Sequence, residues 1–167
     1  RSRFDCVTSM LYTHHGIDYT FTGNYQEYFG DYFNEESGVY LMLANILIHK
    51  LNSEALTIAE DFSGMPGLCR PVNEGGYGFD YKMHMKICDK WKNFLMDIKD
   101  EEWNIGNILY TLTNRRYNEN HISYAESHDH SVIGNYSLSS LLLSSERFWN
   151  MSKKSPETIV IDRGICL

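Results

Sequence analysis

The chain has 167 residues, 43% of them hydrophobic and 14% aromatic, with a formal net charge of −7, and that is enough apolar material for one sizeable core. The acidic balance argues against a nucleic-acid partner, because no basic stripe is present to release phosphate counterions, and it suits neutral or hydroxyl-bearing ligands. Cysteines at 6, 69, 88 and 166 form no CxxC pair, no zinc-ribbon spacing and no dense disulfide framework, so they read as reduced thiols.

In chain order, "SRFDC" (2–6) is a first strand candidate. An aromatic- and glycine-rich connection follows over 13–38. Residues 39–51, "VYLMLANILIHKL", are apolar nearly all round, which predicts a helix pressed against a sheet and covered again outside. The run is too short and too interrupted to span a bilayer. "ALTIAE" (55–60) is the second strand candidate, and residues 61–78 form another long irregular connection. In "GFDYKMHM" (78–85), Phe79, Tyr81, Met83 and Met85 alternate with Asp80, Lys82 and His84, the period of a pleated strand. Trp91, Phe94, Leu95 and Ile98 then fall at helical spacing, and Ile105, Ile108, Leu109 and Leu112 repeat it. "HISYAES" (121–127) is the fourth strand candidate, and a helix is expected over 138–149. Strand and helix thus alternate, which favours βα units on a parallel sheet and an α/β class. Connections as long as the two here are typically functional. The sequons at Asn135 and Asn150 are short enough to arise by chance.

Three acids stand at the carboxyl ends of strand candidates: Asp5, Glu60 and Asp129. That end is where the loops of a (β/α) barrel build an active site. Taken singly, each could instead cap a helix or mark a turn. His14 and His15, and the group His128, Asp129 and His130, match no standard zinc spacing. Most of Tyr19, Phe21, Tyr25, Tyr28, Phe29, Tyr32 and Phe33 are expected to pack under the long loop, with one or two free to stack on a sugar face. Arg115 and Arg116 read as an ion-paired helix end, and Asp61 and Asp80 as structural acids.

The runs "RFD", "IAED" and "ESHD", with "FDCVTSMLYTHHG", "SGMP", "GFDYKM" and "YTLTNRRY" around them, closely resemble the alpha-amylase family of glycoside hydrolases and transglycosylases. Within it they are most similar to the eukaryotic group that branches α-glucans. The likeness runs from residue 3 to about residue 133 and resumes at "NMS" and "DRGI".

The resemblance implies a partial TIM (β/α)8 barrel, roughly strands 4 to 7 with their helices. Residues 1–167 would then be an incomplete catalytic domain, inactive alone. Strands 1–3, strand 8, an N-terminal carbohydrate-binding module and a C-terminal β-domain would lie outside it. The resemblance makes Asp5 the nucleophile, Glu60 the general acid/base and Asp129 the transition-state stabiliser. Arg3 would keep Asp5 ionised, a drier setting would keep Glu60 protonated, and His128 would donate to sugar hydroxyls. The implied reaction moves a segment of an α-1,4-glucan to a 6-hydroxyl with retention, and requires no metal or organic cofactor. The implied partner is glycogen, amylose or amylopectin, with no nucleic acid and no membrane. The expected location is the cytoplasm, or the plastid in a plant or alga. A related hydrolase or debranching enzyme, or a catalytically silent glycan-binding protein, are the alternatives. The sequence departs from the family at Arg1, Ser2, Cys6 (usually glycine), Thr13, His130 and Asn135, which surround the acids without removing one.

Overall fold

Four short strands line up side by side, all parallel, in the order β1 (Ser2–Phe4), β2 (Thr57–Ala59), β3 (Tyr81–Met83) and β4 (His121–Ile122). Ser2 stands opposite Thr57, Ile58 opposite Tyr81, and Lys82 opposite His121. The computed structural model describes residues 1–129, 137–143 and 146–149. Its chain divides into two compact units, Arg1–Met85 with Asn114–Ser123, and Lys86–Thr113 with Tyr124–Leu167. The whole sheet lies in the first unit. An α/β chain with a parallel sheet is what the alternating pattern implies.

Each strand is shorter than its apolar run. In β1, Asp5 and Cys6 have already turned out of the ladder, and Cys6 sits in the left-handed region at φ 55°. Met85, expected to close the third strand, instead opens the helix α4 (Met85–Asp97). Lys82 falls on the polar side of the alternation, yet it is buried with Glu119 rather than solvated. A period of two tells which face a residue takes, and not what lies over that face.

After β1 come two helices that the periodicity did not announce, α1 (Val7–Leu11) and, inside the first long connection, α2 (Tyr25–Phe29), each of five residues. Then comes α3 (Glu35–Leu51), which starts four residues before the apolar run because the Asn34 side chain accepts from Ser37 N at 3.0 Å. Glu35 and Glu36 in its first turn and His49 and Lys50 in its last suit the helix dipole. One face of α3 buries Leu41 and Asn45, while Val39, Tyr40, Leu43, Leu47 and Leu51 stay exposed. The expected second layer of cover is therefore not found among the described residues. The core of this unit joins Val7, Leu11 and Tyr12 to Leu41, Ala59, Met65, Leu68, Tyr77 and Phe79. Phe4 meets Phe79 edge-on at 5.3 Å.

The second unit holds most of α4, together with α5 (Ile105–Thr113), α6 (Leu138–Leu143) and α7 (Glu146–Trp149). Phe94 is the buried member of the expected α4 stripe, packed against Trp91 at 6.1 Å and Trp103 at 6.0 Å, while Ile98 lies past the helix end. The helix that Ile105, Ile108, Leu109 and Leu112 imply is present as α5, but it buries no residue, and Ile105, Leu109 and Leu112 are exposed. Its apolar spacing is real, but no described element covers it. Residues 144–145 of the helix expected over 138–149 lie outside the described residues, as do His130, Asn135, Asn150, Cys166 and "DRGI".

Candidate active site

A strand that ends on an acid presents its carboxylate just beyond the sheet, and β1 and β2 are adjacent, so Asp5 and Glu60 leave the sheet side by side. Backbone bonds fix the junction: Glu60 N donates to Phe4 O and Val7 N donates to Glu60 O, both at 2.9 Å. Arg3, two residues before Asp5, points to the same side of the strand. Its guanidinium reaches both acids, with Nε 2.6 Å from Asp5 Oδ1 and a terminal nitrogen 2.9 Å from Glu60 Oε2. The two carboxylates thus lie within the span of a single guanidinium group.

Their surroundings differ. The Asp5 side chain is 66% exposed and that of Glu60 only 11%. The expected dry setting of Glu60 is present. Arg3 lies against Asp5 as expected, and its cation is shared with Glu60. Cys6, at the position where the resemblance leads one to expect glycine, has positive φ, a conformation that glycine adopts without cost.

Directly after Glu60, the buried Asp61 carboxylate accepts from Thr8 Oγ1 at 2.7 Å, Ser63 Oγ at 2.6 Å and the backbone N–H groups of Ser63, Gly64 and Met65. Asp80 accepts from Thr57 N at 2.7 Å and Thr57 Oγ1 at 3.1 Å, and pairs with His49 at 3.0 Å. Both acids act as local frames, as their structural reading implies. Arg116 donates to Gly64 O at 2.7 Å and pairs with Glu119, so it braces the loop that follows Glu60.

His14 is a packing residue. Its ring stacks on Tyr19 at 4.1 Å and Tyr12 at 5.4 Å, and Nδ1 accepts from Gly16 N. Tyr12 and Tyr28 are buried with Phe21 and Phe33 beside them, whereas Tyr25 and Tyr32 are exposed and free to meet a ligand. Burial pushes the Tyr12 and Tyr28 hydroxyls up from their ordinary values.

His128 and Asp129 belong to the second unit, where His128 Nε2 lies 3.2 Å from Asp129 Oδ1. Among the described residues no group of three His, Cys, Asp or Glu side chains could hold a metal, and no helix is long and apolar enough to cross a membrane. Cys6, Cys69 and Cys88 are free thiols, and burial pushes Cys69 up to about 12 and Cys88 to about 11.

Curated relatives align with almost the whole chain. A 1,4-alpha-glucan-branching enzyme of Felis catus is 56% identical over 165 residues, which is 99% of this chain and 24% of that protein. The chain is homologous to one stretch of these enzymes. Another, from Rhizophagus irregularis, is 53% identical over 99% of this chain and 24% of its own length. The chloroplastic/amyloplastic 1,4-alpha-glucan-branching enzyme of Oryza sativa subsp. japonica is 53% identical over 99% of this chain and 20% of its own length. The chain therefore spans about a quarter or less of the relatives it matches. No family model matches it.

Sequence reasoning passed over Thr8 entirely. It lies in a helix too short to show a period, and its partner Asp61 is 53 residues away. The helix α2 did leave a trace, since Asn24 and Glu27 form a capping box whose S/T/D/N-x-x-E pattern is legible in the chain.

Proposed function

We propose that this chain carries the catalytic acids of a 1,4-alpha-glucan-branching enzyme, and that its sheet supplies four consecutive strands of a (β/α)8 barrel. The single observation that carries the reading is the Arg3 guanidinium holding Asp5 and Glu60 together at adjacent strand ends. Retaining glycosyl transfer needs two carboxyl groups about 5 Å apart, and a bridge of this kind suits that spacing.

Asp5 attacks C1 of a glucose within an α-1,4 chain while Glu60 gives its proton to the departing O4, leaving a glycosyl ester on Asp5. The 6-hydroxyl of an acceptor chain then attacks the same C1. Its proton goes to Glu60, the ester bond breaks, and an α-1,6 branch remains. Exposure of Asp5 leaves its carboxylate open to the sugar, and the more buried Glu60 beside it serves as the acid of the first step and the base of the second. To Asp129 the resemblance assigns hydrogen bonds to the sugar ring hydroxyls as positive charge develops, and to His128 a further donor to sugar hydroxyls. The substrates are α-1,4-glucans, and the location is the cytoplasm, or the plastid if the source is a plant or alga.

The test is new α-1,6 linkage on amylose, followed by debranching and chain-length profiling. The polypeptide encoded by the gene should form branches without accumulating reducing ends in step with cleavage. Residues 1–167 alone should form none. Reducing ends that rise with every cleavage would replace branching by hydrolysis.

A further inference from the structure

The two loops that leave β1 and β2 are joined by one buried side chain. Thr8, three residues after Asp5, is fully buried, and Asp61, the residue after Glu60, is 3% exposed. Thr8 Oγ1 donates to Asp61 Oδ1 at 2.7 Å and accepts from Phe62 N at 3.1 Å and Ser63 N at 3.2 Å. The hydroxyl thus uses its proton and its lone pairs on three consecutive residues of the opposite loop. Asp61 in turn gathers Ser63, Gly64 and Met65, which fixes the path of the chain immediately after Glu60. On the other side Glu60 is tied by its backbone to Phe4 and Val7. From the α1 side, the Thr8 hydroxyl reaches the start of this turn, and the Tyr12 hydroxyl reaches its end by donating to Met65 Sδ at 3.2 Å.

We infer that Thr8 and Asp61 are positioning residues for the transfer reaction: their buried hydrogen bond sets where the Glu60 carboxyl stands relative to Asp5. This rests on the proposed function, and deepens it by assigning residues that touch neither sugar nor proton. The Thr8 bonds fall on residues 61–63, immediately after Glu60, so loss of the bridge moves Glu60 more than Asp5. A displacement of about 1 Å at a proton-transfer group is enough to cost roughly a hundredfold in rate. Arg3 does not replace the bridge, because a guanidinium contact tolerates rotation of the Glu60 side chain, whereas the Thr8 bonds hold Phe62 and Ser63 in the turn that directly follows it.

The variant is Thr8→Val, which keeps the shape and removes the hydroxyl, made in the polypeptide the gene encodes. Two donors are compared, an α-1,4-glucan and an α-glucosyl fluoride. Fluoride leaves without a proton, so the first step on that donor needs Asp5 and not Glu60. The expected result is a fall in kcat on the glucan of about a hundredfold with KM within about twofold, while the first-turnover burst of fluoride falls by less than about fivefold. Thr8→Ser restores the hydroxyl and should return kcat on the glucan to within about threefold of the parent. Asp61→Asn is read in the same way, and decides the matter if Thr8→Val is too unstable to purify. Equal losses on both donors, or a folded Thr8→Val with parental kcat, would overturn the inference while leaving the proposed function intact. A parent polypeptide that neither releases fluoride nor forms branches would overturn both.

Discussion

The buried cluster around Glu119 can be turned into a stability prediction. Glu119 Oε1 lies 2.6 Å from Lys82 Nζ and 2.9 Å from His121 Nε2, with Arg116 at 3.7 Å from Oε2. The Lys82 and Glu119 side chains are only 10% and 7% exposed. Burial alone would raise the Glu119 carboxyl. Hydrogen bonds from His121 and Lys82, with the charges of Lys82 and Arg116, outweigh it and hold the group at about 2, against an ordinary 4.5. At about 1.4 kcal/mol per unit, that difference is worth roughly 3 kcal/mol. A separate route gives the same order, because Glu119→Gln leaves the Lys82 ammonium buried without its counter-charge, at a cost of about 3–5 kcal/mol.

The assay is urea unfolding of the parent and the Glu119→Gln variant from pH 7 down to pH 2. The folded value lies below the unfolded one, so the contribution is complete above the ordinary carboxylate value and is lost as pH falls from 4.5 toward 2. The stability gap between the two proteins should therefore close across that window. At neutral pH it should appear as a melting point lower by roughly 6–12 °C. The double variant Lys82→Met with Glu119→Leu should recover most of the loss, since apolar replacement of a whole buried pair is often neutral. A gap that persists unchanged to pH 2, or a double variant as unstable as the single one, would refute this account of the cluster.

Two further outcomes are expected. Arg3→Lys keeps the charge but loses the planar fork that touches Asp5 and Glu60 at once, so kcat on amylose should fall about tenfold or more with protein stability nearly unchanged. Cys6→Gly should raise stability by about 0.5 kcal/mol, as relief of the left-handed strain, roughly 1–2 kcal/mol, exceeds the entropy that glycine adds to the unfolded chain. Thermal melting of the parent and variant checks this.

What could be read from the chain alone follows from what periodicity encodes. The four strands were legible as short runs that alternate with helical spacing, and Asp5 and Glu60 stood out because each directly follows such a run, whereas the roles given to the acids rest on the resemblance. The α1 and α2 helices show no period, since five residues make little more than one turn, and α2 is marked only by its capping box. The apolar coat of α3 reads as covered on both sides, yet Val39, Leu43 and Leu47 are exposed, because a pattern of residues does not say whether the cover is present. Lys82 was invisible as a buried group because its partner Glu119 is 37 residues away and no local spacing links them. The bridge between Thr8 and Asp61 escaped for the same reason. Contacts between separate loops are properties of packing, and they are where the candidate site gains its geometry.

The central claim is that Asp5 becomes covalently joined to sugar. Glu60→Gln slows resolution of the ester by removing the base, by about a hundredfold to ten-thousandfold, so that the intermediate accumulates with an α-glucosyl fluoride as donor. Mass spectrometry of the digested protein should find glucosyl units on the peptide that contains Asp5, at Asp5 itself. Label on any other carboxylate, or parental turnover in an Asp5→Asn variant, would contradict the account.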